Sequence, residues 1–168
     1  TGKSYQLNDA LGRNFRENIG ENIRENFERV TFYPTYSYAQ FVGTYKPVMV
    51  QDNTGNNNGN TRREEIAYQF VPGPFLRVLT KAKNNPDTNY CLVIEEINRA
   101  NAAAVFGDVF QLLDRNSDGE SEYSIAASED IKKYLETQHI EKETLSIPQN
   151  MYIWATMNSA DQGVFPMD

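Results

Sequence analysis

Apolar positions along the chain change period several times. Phe15, Ile19, Ile23 and Phe27 recur every four residues, a narrow stripe that predicts helix from Ser4 to about Val30, interrupted near Gly12 and Gly20. Arg16-Glu17-Asn18-Ile19 is echoed by Arg24-Glu25-Asn26-Phe27, which fits helical periodicity better than a true repeat. Val30 to Tyr33 then reads as a short strand. Val48 to Gln51 and Ile66 to Val71 read as the two strands of a hairpin. Between them, Asp52 to Asn60 is nearly all Asn and Gly, followed by Arg62 and Arg63; that composition builds no core and predicts a solvated loop.

Gly73-Pro74 predicts a helix through about Lys83, with Pro at its first position. Asn84-Asn85-Pro86-Asp87 ends it, and Tyr90 to Ile94 is an apolar run short enough for a buried strand. Asn101 is placed to cap the next helix, whose Val105, Phe106, Val109, Phe110, Leu112 and Leu113 form a broad apolar face. Asn116 to Gly119 predicts a turn. Ser128 caps a helix to about Gln138, with Glu129 and Asp130 at its positive end. Met151 to Thr156 is a further apolar strand. Strands alternating with helices predict an α/β fold with a parallel-rich sheet. Tyr33 to Phe41 mixes aromatic and polar residues; it suits packing onto the core as well as stacking on a base or a neighbouring subunit.

The 168 residues suit one domain, and no run approaches the roughly 18 apolar residues of a membrane span. Cys91 is the only cysteine, which excludes an internal disulfide and a thiolate metal cage. With no leader sequence, a cytoplasmic setting is the simplest reading. A net charge of -7 makes this surface a poor grip for nucleic acid, so DNA would be held by other modules.

Three segments carry chemistry. Thr1-Gly2-Lys3-Ser4 opens a helix and matches the last four positions of G-x-x-x-x-G-K-[ST]. Backbone N–H groups at a helix start favour phosphate; Lys3 would reach the outer phosphates and Ser4 would bind Mg²⁺. Glu95-Glu96 ends the buried strand, where a parallel sheet opens toward its ligand. Glu95 would hold the metal and Glu96 would orient and deprotonate the attacking water; the alternative is an acidic strand end paired with Lys or Arg. Asn158 follows the strand from Met151 and would hold that water or the γ-phosphate, or simply make a turn. Arg99 could sense the γ-phosphate or pair with Glu96. Asp161 suits a supporting or subunit-interface role. His139 has no Cys or His partners, so zinc is not indicated.

Leu92 to Asn101, Val105 to Asp114 and Ala155 to Asp161 resemble the motor domain of McrB-type AAA+ proteins. Tyr36-Ser37-Tyr38 with Phe41, Gly43 and Tyr45-Lys46-Pro47 is similar to the same family, as is the ending Gly163 to Asp168. The resemblance implies a P-loop NTPase αβα core spanning 1–168, and a ring-forming motor that hydrolyses ATP or GTP with Mg²⁺. Such motors serve modification-dependent DNA restriction or phage defence, beside a separate nuclease subunit. By motif, Lys3 and Ser4 carry over to Walker A, Glu95 and Glu96 to Walker B, and Asn158 to sensor 1. The first half of Walker A, the arginine finger expected soon after Asp168 and the helical lid lie outside 1–168, so the chain reads as a fragment. It departs from the family at Glu95, where Asp is usual, and at Gln162, where Arg is frequent. A protein-remodelling AAA+ chaperone and a non-catalytic nucleotide-dependent scaffold are the competing readings. The E-I-N-R-A-N and M-N-S-A-D segments favour restriction, and Glu96 and Asn158 argue against a scaffold.

Overall fold

The computed structural model describes residues 2–19, 22–52, 63–158 and 164–165. Helix α1 (Gly2–Asn14) leads into strands β1 (Arg16–Ile19), β2 (Asn22–Glu25) and β3 (Phe27–Thr31). A short helix α2 (Tyr38–Phe41) precedes β4 (Gly43–Asp52) and β5 (Arg63–Pro72), and then come α3 (Pro74–Asn84) and β6 (Tyr90–Glu95). The second half holds α4 (Ala102–Phe106), β7 (Ile125–Ala126), α5 (Glu129–Thr137), β8 (Thr144–Leu145) and β9 (Met151–Ala155).

Strands β3, β6 and β9 form a parallel sheet with β6 in the middle. Cys91 to Ile94 are fully buried, because a central parallel strand is covered on both faces. Alternation sorts its side chains into two layers. Cys91 and Val93 pack with Leu11 of α1 and with Phe15 just after it, joined by Leu7, Phe27 and Trp154. Phe15 meets Tyr152 and Trp154 edge-on, at 5.6 and 5.2 Å between ring centroids. Leu92 and Ile94 face the larger core, which includes Phe32, Phe41, Phe75, Leu76, Leu79 and Phe106. Full burial of such side chains is worth about 1.5–3 kcal/mol each. The parallel-rich sheet expected from alternating elements is therefore present, with the helices on both faces that the resemblance implies.

The expected helix from Ser4 to Val30 is a correction. Helix α1 stops at Asn14, and residues 16–25 form an antiparallel hairpin. Its register sets Arg16 opposite Glu25 and Glu17 opposite Arg24, and Arg16 closes a 2.7 Å ion pair on Glu25. The repeated Arg-Glu pattern is thus cross-strand charge complementarity.

The expected hairpin is present and longer, with ten paired positions. It leaves Tyr45, Met49, Ile66 and Tyr68 exposed. The Asn-rich segment between its strands lies outside the described residues. The aromatic segment packs inward: Tyr36 stacks on Phe32 at 4.9 Å and Phe41 lies against Phe106 at 4.7 Å. Burial pushes the Tyr36 hydroxyl up to about 12. Gly73 precedes α3 at a point where a Cβ would sit 2.2 Å from the Phe41 carbonyl oxygen, so no side chain fits there.

The caps at Asn101 and Ser128 form as expected: their side-chain oxygens accept from the backbone N–H groups of Ala104 and Ile131. The helix after Asn101 is shorter than its apolar pattern suggests. It breaks at Gly107 (φ 54°) and continues to Leu113 as 3-10 turns, leaving Phe110 half exposed. His139 adopts φ 57° just past α5, with Ile140 N–H donating to the Leu135 carbonyl. It is the left-handed residue that stops the helix.

Candidate active site

Strands β3, β6 and β9 end level with one another: Thr31 is paired with Glu95, and Ala155 with Ile94. Beyond the ladder, Thr156 N–H donates to Ile94 O at 2.9 Å and Ile97 N–H donates to Thr156 O at 2.9 Å. Phe32 N–H likewise reaches Glu95 O at 2.9 Å. The carboxyl ends of three strands are laced together at the place where the two acids emerge.

Glu95 closes β6 in extended geometry on the face shared with Val93. Glu96 leaves the strand in the left-handed region, φ 57° and ψ 44°, and starts a 3-10 turn over Ile97–Arg99. A non-glycine residue held there is strained by roughly 1–3 kcal/mol. Its backbone N–H donates to Thr156 Oγ1 at 3.4 Å, and its carboxylate accepts from Arg99 Nε at 3.1 Å. The expected pairing of Arg99 with Glu96 is therefore formed. Both side chains keep substantial exposure, 34% for Glu96 and 47% for Arg99, so this pair is open to solvent.

Asn158 is brought to the same corner. Asn98, 3% exposed, donates from Nδ2 to the Asn158 carbonyl at 3.1 Å, and its own carbonyl accepts from Phe165 N–H at 2.8 Å. Asn98 thus clamps the end of the acidic strand to the segment after β9. Its Oδ1 is buried with no donor among the described residues. Sequence reading did not single out Asn98; a polar residue two positions beyond paired acids is indistinguishable from a turn residue until the strands are aligned.

Helix α1 runs antiparallel to the strands. Phe15 near its end packs at the amino end of β9, whereas Asn8 is level with Glu95. Ser4 lies one turn further, about 6 Å along the axis at 1.5 Å per residue, so the N-terminus of α1 opens on the carboxyl ends of the strands. Ser4 is exposed. Thr1, Asp161 and the side chain of Lys3 lie outside the described residues.

Arg29 on β3 was also missed by sequence reading. Its guanidinium donates to Glu95 Oε1 at 3.0 Å and to Asn8 Oδ1, with the Phe27 ring 5.5 Å away. Thr31 Oγ1 lies 3.5 Å from the other Glu95 oxygen. A lone Arg in a strand gives no sign of its partner until register places it beside Val93.

The hydroxyl of Ser4 and the carboxylate of Glu95 are hard oxygen donors, the kind Mg²⁺ takes when phosphate oxygens and water complete its shell. No group of three or more His, Cys, Asp or Glu able to hold a metal occurs among the described residues. Such a full protein cage is what a Mg²⁺ ion shared with phosphates does without. A cavity of about 610 Å³ lies elsewhere, at the amino end of β9, between Arg115, Asp118, Asn150 and Tyr152. There the Arg115 guanidinium is spent on the carbonyls of Gly119, Pro148 and Met151.

Known proteins give the context. The chain is 49% identical, over its full length, to the component YdiS of the type II restriction enzyme BsuMI from Bacillus subtilis. It is 32% identical, over 89% of its length, to the EcoKMcrB subunit of the type IV methyl-directed restriction enzyme of Escherichia coli. It spans 50% of the first relative and 27% of the second. A solved structure of an ATPase candidate from Cytophaga hutchinsonii matches 99% of this chain and 34% of its own, with a TM-score of 0.46 at 16% identity. No protein-family model matches.

Proposed function

We propose that this chain, related to YdiS and to the EcoKMcrB subunit, is a McrB-type AAA+ protein that forms the nucleotide-binding and hydrolysing core of a motor subunit in a DNA restriction complex. The observation that carries this reading is the meeting of Glu95, Glu96 and the Asn158 segment at the carboxyl ends of three parallel strands, facing the start of α1. Ligands of open α/β sheets bind in that crevice.

In this reading the N–H groups of residues 2–4 receive the phosphates and Lys3 adds a point charge. When bound, Mg²⁺ would neutralise charge on the phosphate oxygens; Ser4 and Glu95 are the residues that would hold it. Glu96 accepts a proton from the attacking water and orients it. Its other carboxylate oxygen is the acceptor in this reading, because Oε2 is engaged by Arg99. Arg99 sets the direction of that carboxylate and offers positive charge to the γ-phosphate. Asn158 would fix the water or the γ-phosphate from the other side, its backbone anchored by Asn98. Asp161 would support the site or a subunit contact. ATP and GTP are both open as substrates.

Both relatives are named as parts of restriction enzymes. We therefore take the partners to be further copies in a ring, a nuclease subunit and DNA held by other domains. A cytoplasmic location agrees with that role; among the described residues no helix is long and apolar enough to cross a membrane. The relatives favour restriction over a protein-remodelling chaperone, and the two acids favour hydrolysis over a scaffold. The test is Glu96→Gln in the full-length protein, measured with ATP and GTP side by side. Nucleotide binding should persist while phosphate release falls by at least about 10²-fold, the lower end of what a positioned general base contributes. Normal turnover in the variant would remove Glu96 from the reaction.

A further inference from the structure

Arg29 holds a carboxylate that the proposed reaction needs for its metal. Its fork spans two elements: one end bonds Glu95 at the end of β6, the other bonds Asn8, one turn after Ser4 in α1. The Phe27 ring beside the guanidinium restricts where it can lie. Arg29 and Glu95 are each only one-third exposed, so their charges are partly withdrawn from water. A carboxylate can accept a hydrogen bond and bind a metal together, but a guanidinium 3.0 Å from Oε1 already balances the charge of Glu95 and repels a second cation placed beside it. Cation and guanidinium therefore compete for Glu95.

We infer that Arg29 is the resident counter-cation of Glu95, a positioning residue that holds this carboxylate against α1 and sets the Mg²⁺ concentration needed for tight nucleotide binding. The inference rests on Glu95 being the metal-side acid. Arg29 neutralises Glu95 in the nucleotide-free protein and gives it up to the incoming ion. Because the same guanidinium bonds Asn8, that exchange also reports on the phosphate-binding helix. The effect is modest. An ion pair this exposed contributes up to about 1 kcal/mol, which is about fivefold in an equilibrium constant.

The experiment is a Mg²⁺ titration of the full-length protein with fluorescent, non-hydrolysable analogues of ATP and GTP, read as the half-saturating Mg²⁺ concentration for binding. Arg29→Gln should lower that concentration by up to about fivefold, with nucleotide affinity at saturating Mg²⁺ nearly unchanged. Asn8→Ala leaves the charge beside Glu95 and should stay within about twofold of the unaltered protein, since a single exposed hydrogen bond contributes little. Arg29→Lys carries the test if Arg29→Gln does not fold; a shorter, single-point cation should lower the requirement by about twofold. An unchanged or raised Mg²⁺ requirement in Arg29→Gln overturns the inference, because Arg29 would then be neutral toward the metal or would support Glu95 in binding it. Nucleotide binding by the unaltered protein that ignores Mg²⁺, or is absent, overturns the metal-site reading and this inference with it.

Discussion

Glu96 is a catalytic candidate in a backbone conformation that costs stability, so the two properties can be separated by substitution. Replacing it with Gly and with Ala removes the same carboxylate and the same pair with Arg99, and leaves the backbone N–H free to reach Thr156 Oγ1 in both. The difference between the two variants then isolates the backbone. At φ 57°, ψ 44° an L-residue is disfavoured by about 1–2 kcal/mol, a penalty Gly does not have. Gly loses more freedom on folding, about 0.5–1 kcal/mol relative to Ala. The balance leaves Glu96→Gly more stable than Glu96→Ala by about 1 kcal/mol, or roughly 2–4 °C in Tm for a chain of this size.

The assay is urea and thermal denaturation of the two variants under one set of conditions. At an ordinary position the order is reversed, Ala above Gly, so the sign alone decides. If Ala equals or exceeds Gly, residue 96 is not held left-handed and the strain assigned to this corner is absent. In the full-length protein both variants should lose phosphate release, Gly no less than Ala. Stability regained as activity is lost is the pattern expected where strain serves the site.

Asn150, 5% exposed, donates from its amide group to the carbonyls of Ala82, Asn85 and Thr88 at 2.8–3.0 Å; Ala82 O and Asn85 O keep backbone donors without it, so Asn150→Ala should cost about 1–3 kcal/mol in urea denaturation, chiefly through the Thr88 carbonyl. Gly73→Ala, with its Cβ 2.2 Å from Phe41 O, should cost more than about 3 kcal/mol or prevent folding, which circular dichroism would register. Burial pushes the Cys91 thiol up to about 12, with a smaller opposing contribution from a backbone hydrogen bond at Trp154. It should resist iodoacetamide in the native chain, a reaction read by mass spectrometry. Because the folded value lies above the unfolded one of about 8.5, that stability is complete below pH 8.5 and is lost as pH rises toward 12. Urea denaturation from pH 8 to 10.5 should fall less steeply for Cys91→Ala than for the unaltered chain.

Much of the framework was legible because single residues punctuate it. Pro74, Asn101 and Ser128 each act through one local mechanism, a fixed φ or a side-chain cap, so the elements they start sit where the sequence put them. Residues 16–25 misled for a reason in the arithmetic. A spacing of four satisfies a helix of 3.6 residues per turn, yet it is also a multiple of two, the strand period. Phe15, Ile19, Ile23 and Phe27 fit both, and only pairing Arg16 with Glu25 settles which. The acids, Asn158 and Arg99 could be put forward as candidates because strand ends and their following turns are local features. Arg29 and Asn98 could not, because each acts across the sheet, on partners 66 and 60 residues away.

The left-handed kink at Glu96 also explains how two adjacent acids can serve one crevice. Successive side chains of a strand point to opposite faces. Glu95 ends β6 on the α1 face, with Arg29 and Asn8. Had β6 continued, Glu96 would follow Leu92 and Ile94 into the layer holding Phe32, Leu76 and Phe106, where an unpaired carboxylate is costly. The φ 57° turn breaks the alternation at that residue and directs the carboxylate to Arg99. Thr156 holds the turn through three contacts with residues 94, 96 and 97. Since Thr156 and Asn158 stand two residues apart after β9, whatever seats the strained acid also seats the amide proposed to share its water. A change that loosens Thr156, such as Thr156→Val, removes only the hydroxyl contact to Glu96 and leaves both backbone bonds. It should therefore lower turnover in the full-length protein by more than it lowers the stability of the fold, and equal proportional losses in both would break this link between strain and chemistry.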